Sequence, residues 1–396
     1  MQMAAEVIGV RVPAARWAVL GSYALLAACT QLLWLTFAAV DTRTAAVMHV
    51  DVGTVGDLAA VFPFVYIVLA LPTGRWLDRR FNQALGAGAL LTAGGAVVRL
   101  VAPDAFAWQM AGQLIISAGQ PLVLNSVNKV AAHHFPPSER ATAISIGTAA
   151  LFVGILGAVL MAGPVFDAGG LSLLLWIQAG AAVLAGAAML VAFRVPSTFP
   201  DDPSAAVSLR WLVHDRFMWV LAGLIFIGMG VYNAVATWLQ PILAHFGEGD
   251  SAGPLIAVLT FAGVLGAAVL PTAAARRDRR RTMLLAALVI TGLAFVAVAA
   301  IHSVLWIGAW MFIAGFVLLA ALPVSLDWSD IHAGPERQGG AVGFLMMAGN
   351  LGGLVLLLAV QAMIGNPYLA LGFLALVSFA GIGIAVRLPS STAARV

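Results

Sequence analysis

The sequence predicts an all-α membrane protein with twelve transmembrane helices, arranged as two bundles of six. Three observations support this fold class. Hydrophobic residues make up 62% of the 396 residues and charged residues only 9%, whereas a soluble domain carries roughly 25% charged residues. Apolar runs of about 20 residues, the length that crosses a bilayer, recur along the whole chain. Short polar landmarks then recur about 200 residues apart, which indicates two similar halves.

The predicted spans follow one another through short polar loops. In the first half they lie near 17–40, 55–77, 83–102, 106–130, 141–164 and 172–194. In the second half they lie near 217–240, 252–274, 282–301, 304–328, 338–362 and 367–387. The longest polar stretch contains prolines and the adjacent acids Asp201 and Asp202, as expected of a linker. We therefore expect a first bundle at 1–195, a cytoplasmic linker at 196–215 and a second bundle at 216–396.

The positions of the basic residues predict the orientation. With the N-terminus inside, all of the 20 Lys and Arg residues except Arg43 and Arg99 fall in cytoplasmic segments or at cytoplasmic helix ends, as the positive-inside rule requires. We therefore expect a multi-pass protein of the cell membrane with both termini in the cytoplasm. Arg99 is the charge placed deepest, where its stem could snorkel to the interface. Because the arginines lie in short loops, the pI of 9.5 does not indicate nucleic-acid binding.

Each half carries the same landmarks at matching places. A Pro-Thr pair precedes an Asp-Arg-Arg triplet after the second span of each half, and a Glu-Arg pair enters the fifth span. In the first half these are Pro72-Thr73, Asp78-Arg79-Arg80 and Glu139-Arg140. In the second half they are Pro271-Thr272, Asp278-Arg279-Arg280 and Glu336-Arg337. Parallel six-helix repeats of this kind build one major class of transporters.

The loop at 74–80, Gly-Arg-Trp-Leu-Asp-Arg-Arg, resembles the signature of the major facilitator superfamily. A carboxylate such as Asp78 can accept hydrogen bonds from the N-terminal amides of a facing helix, whose dipole favours negative charge. Neighbouring arginines can pair with Glu139 or Glu336, and such contacts would hold the cytoplasmic side closed in one state. The alternative is that these basic residues only enforce topology. The second copy lacks a glycine matching Gly74, which weakens its gating role. The predicted gating residues are Asp78, Arg75, Arg79, Glu139, Arg140, Asp278, Glu336 and Arg337.

The membrane interior is predicted to hold amides and aromatic rings rather than charges. No carboxylate or histidine falls at mid-depth, which argues against a central proton relay. The polar and aromatic groups at matching depths are Gln31 and Trp34 in span one, Gln113, Gln120 and Asn125 in span four, Tyr232, Asn233 and Gln240 in span seven, and Asn350 in span eleven. Aromatic faces attract quaternary ammonium groups by ~2 kcal/mol or more when desolvated. The alternative is that the aromatic side chains pack or anchor the helices, and that the amides bond neighbouring helices.

Several segments resemble transporters of the feline leukaemia virus subgroup C receptor (FLVCR) family. These are Trp34 in span one, Gln120-Pro121-Leu122-Val123-Leu124 in span four, 232–240 in span seven, and Gly343-Phe344-Leu345 with Asn350 in span eleven. Members of that family are associated with choline and ethanolamine transport and with haem export. The resemblance implies a cage of Trp34 and Tyr232 for an ammonium head, oriented by Gln120. Asn350 and Leu122 depart from the family's glutamine and phenylalanine.

The sequence thus predicts a secondary transporter that moves a small organic solute, a choline-like amine or cation, by alternating access at a central aromatic and amide-lined site. The alternatives are a drug or metabolite exporter, with or without proton coupling, and a haem-type exporter. A membrane enzyme would have to use His133, His134 and Glu139, the only candidate group. We expect no catalytic residues, no cofactor and no metal. The expected partners are the substrate and the lipid bilayer, with no nucleic acid, and the expected state is a monomer.

Overall fold

The computed structural model describes residues 14–37, 40–199 and 209–390, so both chain ends and the linker acids Asp201 and Asp202 lie outside it. The first half contains α1 (Arg16–Trp34), α2 (Asp41–Met48), α3 (Val52–Arg79), α4 (Phe81–Val98), α5 (Phe106–Leu124), α6 (Val127–His134) and α7 (Pro137–Ala192). The second half contains α8 (Arg210–His214), α9 (Arg216–Ala244), α10 (Ala252–Arg276), α11 (Arg280–Ala300), α12 (Val304–Leu318), α13 (Ala321–Ala333), α14 (Gln338–Gln361) and α15 (Pro367–Ala385).

Twelve membrane crossings can be traced through these helices. In the described ranges, 10 helices are long and apolar enough to span a membrane, with α12 and α13 together forming one. The 56-residue α7 supplies two crossings, because Gly169 and Gly170 leave helical geometry and Gly170 has a φ of 70°. The last crossing is α5 continued by α6, where the amides at Gln109, Gln113 and Gln120 lower the hydropathy. The predicted fold of two six-helix bundles is confirmed, whereas the domain borders at 195 and 216 stay a prediction.

The short helix α2 was not predicted. The first span was expected to reach residue 40, but α1 ends at Trp34 and a separate eight-residue helix follows. Its buried residues Ala45 and Met48 share an apolar cluster with Val55 of α3. The carboxylate of Asp51 caps α3 by accepting from the backbone N–H of Thr54 at 2.9 Å, a common way to satisfy a helix start.

Small residues set the packing inside each half. In the first half α1 packs along α7, and in the second half α9 packs along α14. A side chain at Gly154 would overlap the backbone of Ala28, and one at Gly352 would overlap the backbone of Phe226. Because membrane helices associate largely through close contact of small residues, these glycines permit the close approach of both helix pairs.

The two halves are joined mainly at one end of the molecule, which we call the closed end. It comprises the end of α3, α6 and the start of α7 from the first half, together with the end of α10, α13 and the start of α14 from the second. Hydrogen bonds cross between the halves here, for example from Asn128 Nδ2 to the Leu326 carbonyl at 2.8 Å. The opposite end, where α2 lies, is called the open end.

Candidate functional site

A cavity lies between the two halves, and its empty space of about 820 Å³ includes space that is open to solvent. Residues of α1, α3, α5 and α7 line one side, and residues of α9, α12, α13 and α14 line the other. In α9 the lining residues recur every four positions at Leu224, Gly228 and Tyr232, as expected for one face of a helix. None of the described lining residues is Asp, Glu, Lys, Arg or His. The cavity is therefore apolar and carries no formal charge.

Four aromatic rings form much of its wall. The ring centroids of Trp34 and Phe62 are 4.4 Å apart in the first half. Phe152 of the first half and Tyr232 of the second meet edge to face with centroids 6.3 Å apart. The indole Nε1–H of Trp34 donates to the Ala59 carbonyl at 2.9 Å, so its polar edge is satisfied while the residue lines the cavity. The rings thus come from both halves.

Four polar side chains complete the lining: Gln31, Asn233, Ser325 and Asn350. The Nδ2 of Asn350 donates to the Met346 carbonyl at 2.9 Å, which leaves its side-chain oxygen as an acceptor. The hydroxyl of Ser325 is buried without a hydrogen-bond partner in the described structure. A buried hydroxyl without a partner costs free energy that a bound ligand can recover. These groups can orient a ligand without an ion pair.

The structure places the predicted residues Trp34, Gln31, Tyr232, Asn233 and Asn350 in the lining of this cavity, and their binding of substrate stays a prediction. It does not bring Gln120, Asn125 or Gln240 to the cavity.

Gln120 is fully buried and donates to the Thr30 carbonyl at 2.6 Å. Asn125 donates to the Ala70 carbonyl at 3.0 Å and accepts from the hydroxyl of Tyr66 at 2.6 Å. Both amides therefore bind α5 to its neighbours α1 and α3, which corrects their predicted role. Gln240 is exposed near the end of α9.

Phe62 and Phe152 were missed as site residues. Each lies inside a long apolar span, where phenylalanine is the expected lipid-facing or packing residue. Only the packing of the helices shows that these two rings face the cavity.

At the closed end, Asp78 holds the start of α14. Its two carboxylate oxygens accept from the backbone N–H groups of Gly339 and Gly340, each at 2.7 Å. The side chains of Asp78 and Lys129 are fully buried, and the Lys129 ammonium lies 3.5 Å from the same carboxylate. The expected contact of Asp78 with a facing helix start is therefore present, and two N-terminal amides with the helix dipole stabilise its charge. Lys129, rather than an arginine of the loop, supplies the cation.

A second group of buried charges lies beside this contact. Asp327 pairs with Arg280 at 2.6 Å within the second half. Asp330 accepts from Gln338 Nε2 and lies 3.9 Å from Arg140 of the first half. Arg140 therefore joins Asp78 as a predicted gating residue that contacts the other half.

The remaining predicted gating residues are placed differently. Glu139 pairs with Arg16 at 3.1 Å rather than with the loop arginines, because the start of α1 packs beside the start of α7. Arg75, Arg79 and Glu336 are exposed. Arg337 lies over the ring of Trp211, 5.5 Å from its centroid. Asp278 contacts Arg280 at 3.3 Å in its own half.

Two further polar features lie near the closed end. His332 Nε2 is 2.7 Å from Asp215 at the start of α9. Partial burial raises the pKa of Asp215, but the bonds from His332 and from the Met218 N–H outweigh it and hold that pKa below its ordinary value.

The membrane-enzyme alternative requires Glu139 as part of its candidate group. In the structure the Glu139 carboxylate pairs with Arg16 instead. Among the described residues, no group of three or more His, Cys, Asp or Glu could hold a metal.

Arg99 also differs from its prediction. Its side chain is 1% exposed, so it does not snorkel to the interface.

Comparison with known proteins identifies the family. The sequence model of the Major Facilitator Superfamily matches residues 19–357 of this chain. Solute carrier family 49 member A3 of Danio rerio is 28% identical over 374 residues, covering 88% of this chain and 78% of the relative. The choline/ethanolamine transporter FLVCR2 of Homo sapiens is 24% identical over 412 residues, covering 95% of this chain and 77% of the relative.

Solved structures show the same fold at lower identity. A bacterial homologue of the iron transporter ferroportin in an outward-facing state superposes with a TM-score of 0.76 at 15% identity, covering 94% of this chain and 98% of that one. The human organic anion transporter MFSD10 superposes with a TM-score of 0.76 at 13% identity, covering 94% of this chain and 100% of that one.

Proposed function

The chain belongs to the Major Facilitator Superfamily and is a secondary transporter rather than an enzyme; from this premise we propose that it carries a small amine with a quaternary ammonium head, such as choline. The observation that carries the proposal is the central cavity, which is walled by four aromatic rings and has no charged residue in its described lining. The human relative named as a choline/ethanolamine transporter supports a small amine as the substrate, and the choice of a quaternary head rests on the cavity alone.

The chemistry of the cavity favours a quaternary head over a primary amine. Aromatic faces attract a desolvated cation by ~2 kcal/mol or more. A primary ammonium group also brings three N–H donors, and leaving such donors unpaired in an apolar cavity is costly. A quaternary head has no N–H donors, so its burial leaves no donor without a hydrogen bond. The oxygens of Asn350, Asn233 and Ser325 then remain for a hydroxyl elsewhere on the solute.

The alternative substrates fit this lining less well. A haem-type substrate would bring carboxylates into a cavity whose described lining offers no Lys or Arg to receive them. A proton-coupled exporter needs an Asp, Glu or His that responds to substrate, and none is among the described residues that line the cavity. The buried carboxylates lie instead at the closed end.

Alternating access would proceed by separating the halves at the closed end. This requires Asp78 to leave the amides of Gly339 and Gly340, and Arg140 to leave Asp330. Basic residues such as Arg75, Arg79 and Arg276 are found at this end, so we propose that it faces the cytoplasm by the positive-inside rule. The protein would then lie in the cell membrane as a monomer, with a first bundle at 1–195 and a second at 216–396.

Uptake of radiolabelled choline into proteoliposomes tests the proposal. We expect saturable uptake that Trp34→Ala and Tyr232→Ala each reduce about tenfold, the loss that follows from removing ~1.4 kcal/mol of binding. Trp238→Ala is the matched control, because the Trp238 indole also donates to a backbone carbonyl, at 3.0 Å from Leu357 O, but does not line the cavity. Wild-type uptake that survives Trp34→Ala unchanged would refute the aromatic site.

Competition by a neutral analogue separates charge from shape. In 3,3-dimethylbutanol a carbon atom replaces the quaternary nitrogen of choline, so the analogue keeps the shape and loses the charge. We expect it to compete at least tenfold less well than choline, since the cation–π attraction is absent. Equal competition would exclude recognition of the cation. Uptake that strictly requires a proton gradient would favour the proton-coupled alternative.

A further inference from the structure

Arg99 is a buried cation without a carboxylate partner in the described residues. It caps the end of α4 and its side chain is 1% exposed. One guanidinium nitrogen donates to the Thr36 hydroxyl at 3.2 Å, and another donates to the Leu33 carbonyl at 3.4 Å. The Phe37 ring lies below it, with its centroid 4.9 Å from Cζ. Burying an unpaired cation costs several kcal/mol unless other groups compensate.

The compensating group is the carboxyl end of α1. This helix ends at Trp34, and the last carbonyls of a helix carry a partial negative charge of roughly half an electron. Arg99 meets that charge directly, since it bonds to Leu33 O and to the residue two places beyond the helix end. The side chain reaches this position by passing Gly112, where a Cβ would lie 2.5 Å from Arg99 Cγ.

The same helix end carries two residues into the cavity, Gln31 and Trp34. Trp34 is the residue directly after the carbonyl that Arg99 binds. Gln113 makes a third contact with the end of α1, because its Nε2 donates to the Trp34 carbonyl at 3.4 Å. The indole ring is then fixed from the other side by the Ala59 carbonyl. The position of the ring thus depends on where α1 ends.

We propose that Arg99 is a positioning residue that fixes the carboxyl end of α1 and thereby sets the orientation of the Trp34 ring in the substrate cavity. This inference rests on the proposed function of the cavity, but its structural part is independent of which solute is carried. Arg43 offers a matched control. It is exposed, and it pairs with Asp167 at the open end.

Fluorine NMR of protein labelled with 5-fluorotryptophan tests the positioning without any substrate. The Trp34 resonance is assigned by its loss in Trp34→Phe. We expect Arg99→Met to shift or broaden this resonance, Arg99→Lys to shift it less because it keeps a cation at the helix end, and Arg43→Met to leave it unchanged. An unchanged Trp34 resonance in Arg99→Met overturns the proposal. If Arg99→Met does not fold, Arg99→Lys and Gln113→Leu carry the same comparison.

Transport kinetics then test whether the orientation matters for the substrate. In proteoliposomes we expect Arg99→Met to raise the half-saturating choline concentration about tenfold, equivalent to ~1.4 kcal/mol, with a smaller change in maximal rate. Arg99→Lys should restore part of the affinity, and Arg43→Met should match the wild type. A shifted resonance with unchanged choline affinity refutes a role in substrate positioning. If the wild-type protein carries no choline, the proposed substrate fails, and the resonance still decides whether Arg99 positions Trp34.

Discussion

The contact between α3 and α14 can be compared with the contact between α10 and α7, because both follow the repeated Pro-Thr and Asp-Arg-Arg landmarks. In the first contact, the buried carboxylate of Asp78 binds two backbone amides and a buried lysine. In the second, the hydroxyls of Thr142 and Thr272 meet at 3.1 Å. Similar sequences have therefore produced an ionic contact on one side of the closed end and a neutral one on the other.

The difference follows from two pairs of matching positions. Gly74 lets α3 approach α14 so closely that a Cβ there would overlap the Gly339 carbonyl, whereas the matching residue of α10 is Ala274. Asp78 lies within α3, whereas α10 ends at Arg276 and leaves Asp278 beyond the helix with a φ of 49°. The side chain of Asp278 is 36% exposed. A carboxylate can reach buried amides only where the helices touch.

This asymmetry indicates that the ionic contact between α3 and α14 holds the closed end more strongly than the neutral contact between α10 and α7. Buried charge pairs are costly to break, because separation leaves each charge without its partner. A hydroxyl pair that is half-buried exchanges its bond for one with water at little net cost. Substitutions at matching positions of the two contacts should therefore have unequal effects.

The largest expected difference is between Asp78→Asn and Asp278→Asn. The first change leaves the buried Lys129 ammonium facing a neutral group, at a cost of about 3 kcal/mol to the closed end. The second change affects an exposed carboxylate and should cost well under ~1 kcal/mol. The reporter is Ser329→Cys in a Cys29→Ser background, because Ser329 is fully buried between the halves. Labelling by a thiol reagent measures opening.

We expect labelling to rise about 100-fold with Asp78→Asn, the factor that ~2.8 kcal/mol represents. Asp278→Asn should stay near the unsubstituted rate. Equal labelling of the two variants would contradict the asymmetry, and a larger effect of Asp278→Asn would reverse it.

An intermediate effect is expected from exchanging the small residues. In Gly74→Ala the new Cβ meets the Gly339 carbonyl carbon at 2.9 Å and the Gly340 Cα at 3.1 Å. Backbone atoms cannot rotate away, so the helices must separate at a cost of about 1–3 kcal/mol. Ala274→Gly is the matched change in α10, where helix propensity worth about 0.5–1 kcal/mol and one buried methyl group worth about 0.8 kcal/mol are lost. Thermal unfolding should detect both changes, but labelling at Ser329→Cys should rise only with Gly74→Ala.

The features predictable from the sequence were those set by span length and by charge. Twelve crossings follow from apolar runs of the required length. The partner of Asp78 was predictable because an acid in a basic cytoplasmic loop does not help to set the topology. A helix N-terminus favours negative charge and is therefore the expected partner. The cation beside Asp78 was not predictable, since Lys129 lies in another helix, α6, and only the folded chain brings its ammonium to 3.5 Å from the carboxylate.

The site itself was predictable only in part. Trp34 and Tyr232 stood out because such residues are uncommon at mid-depth, whereas Phe62 and Phe152 look like any apolar residue of a span. The amides of span four were ambiguous for a different reason. An amide that binds a ligand and one that binds a neighbouring carbonyl have the same chemistry. Gln120 proved to bind the Thr30 carbonyl. Which role applies depends on the rotation of α5, and a run of apolar residues does not determine it.

The smallest expected effect belongs to the neutral contact. Thr142→Val removes one hydroxyl of the pair, and the Thr272 hydroxyl is half-buried and can bond water instead. We expect a loss of about 0.5–1 kcal/mol at the closed end. Adding Thr272→Val should cost little more, since two apolar groups of similar shape replace the pair. The four proteins of this cycle, compared by labelling at Ser329→Cys, give the coupling energy directly. A coupling energy as large as the Asp78→Asn effect would mean that both contacts stabilise the closed end equally. The two contacts would then differ in chemistry but not in strength.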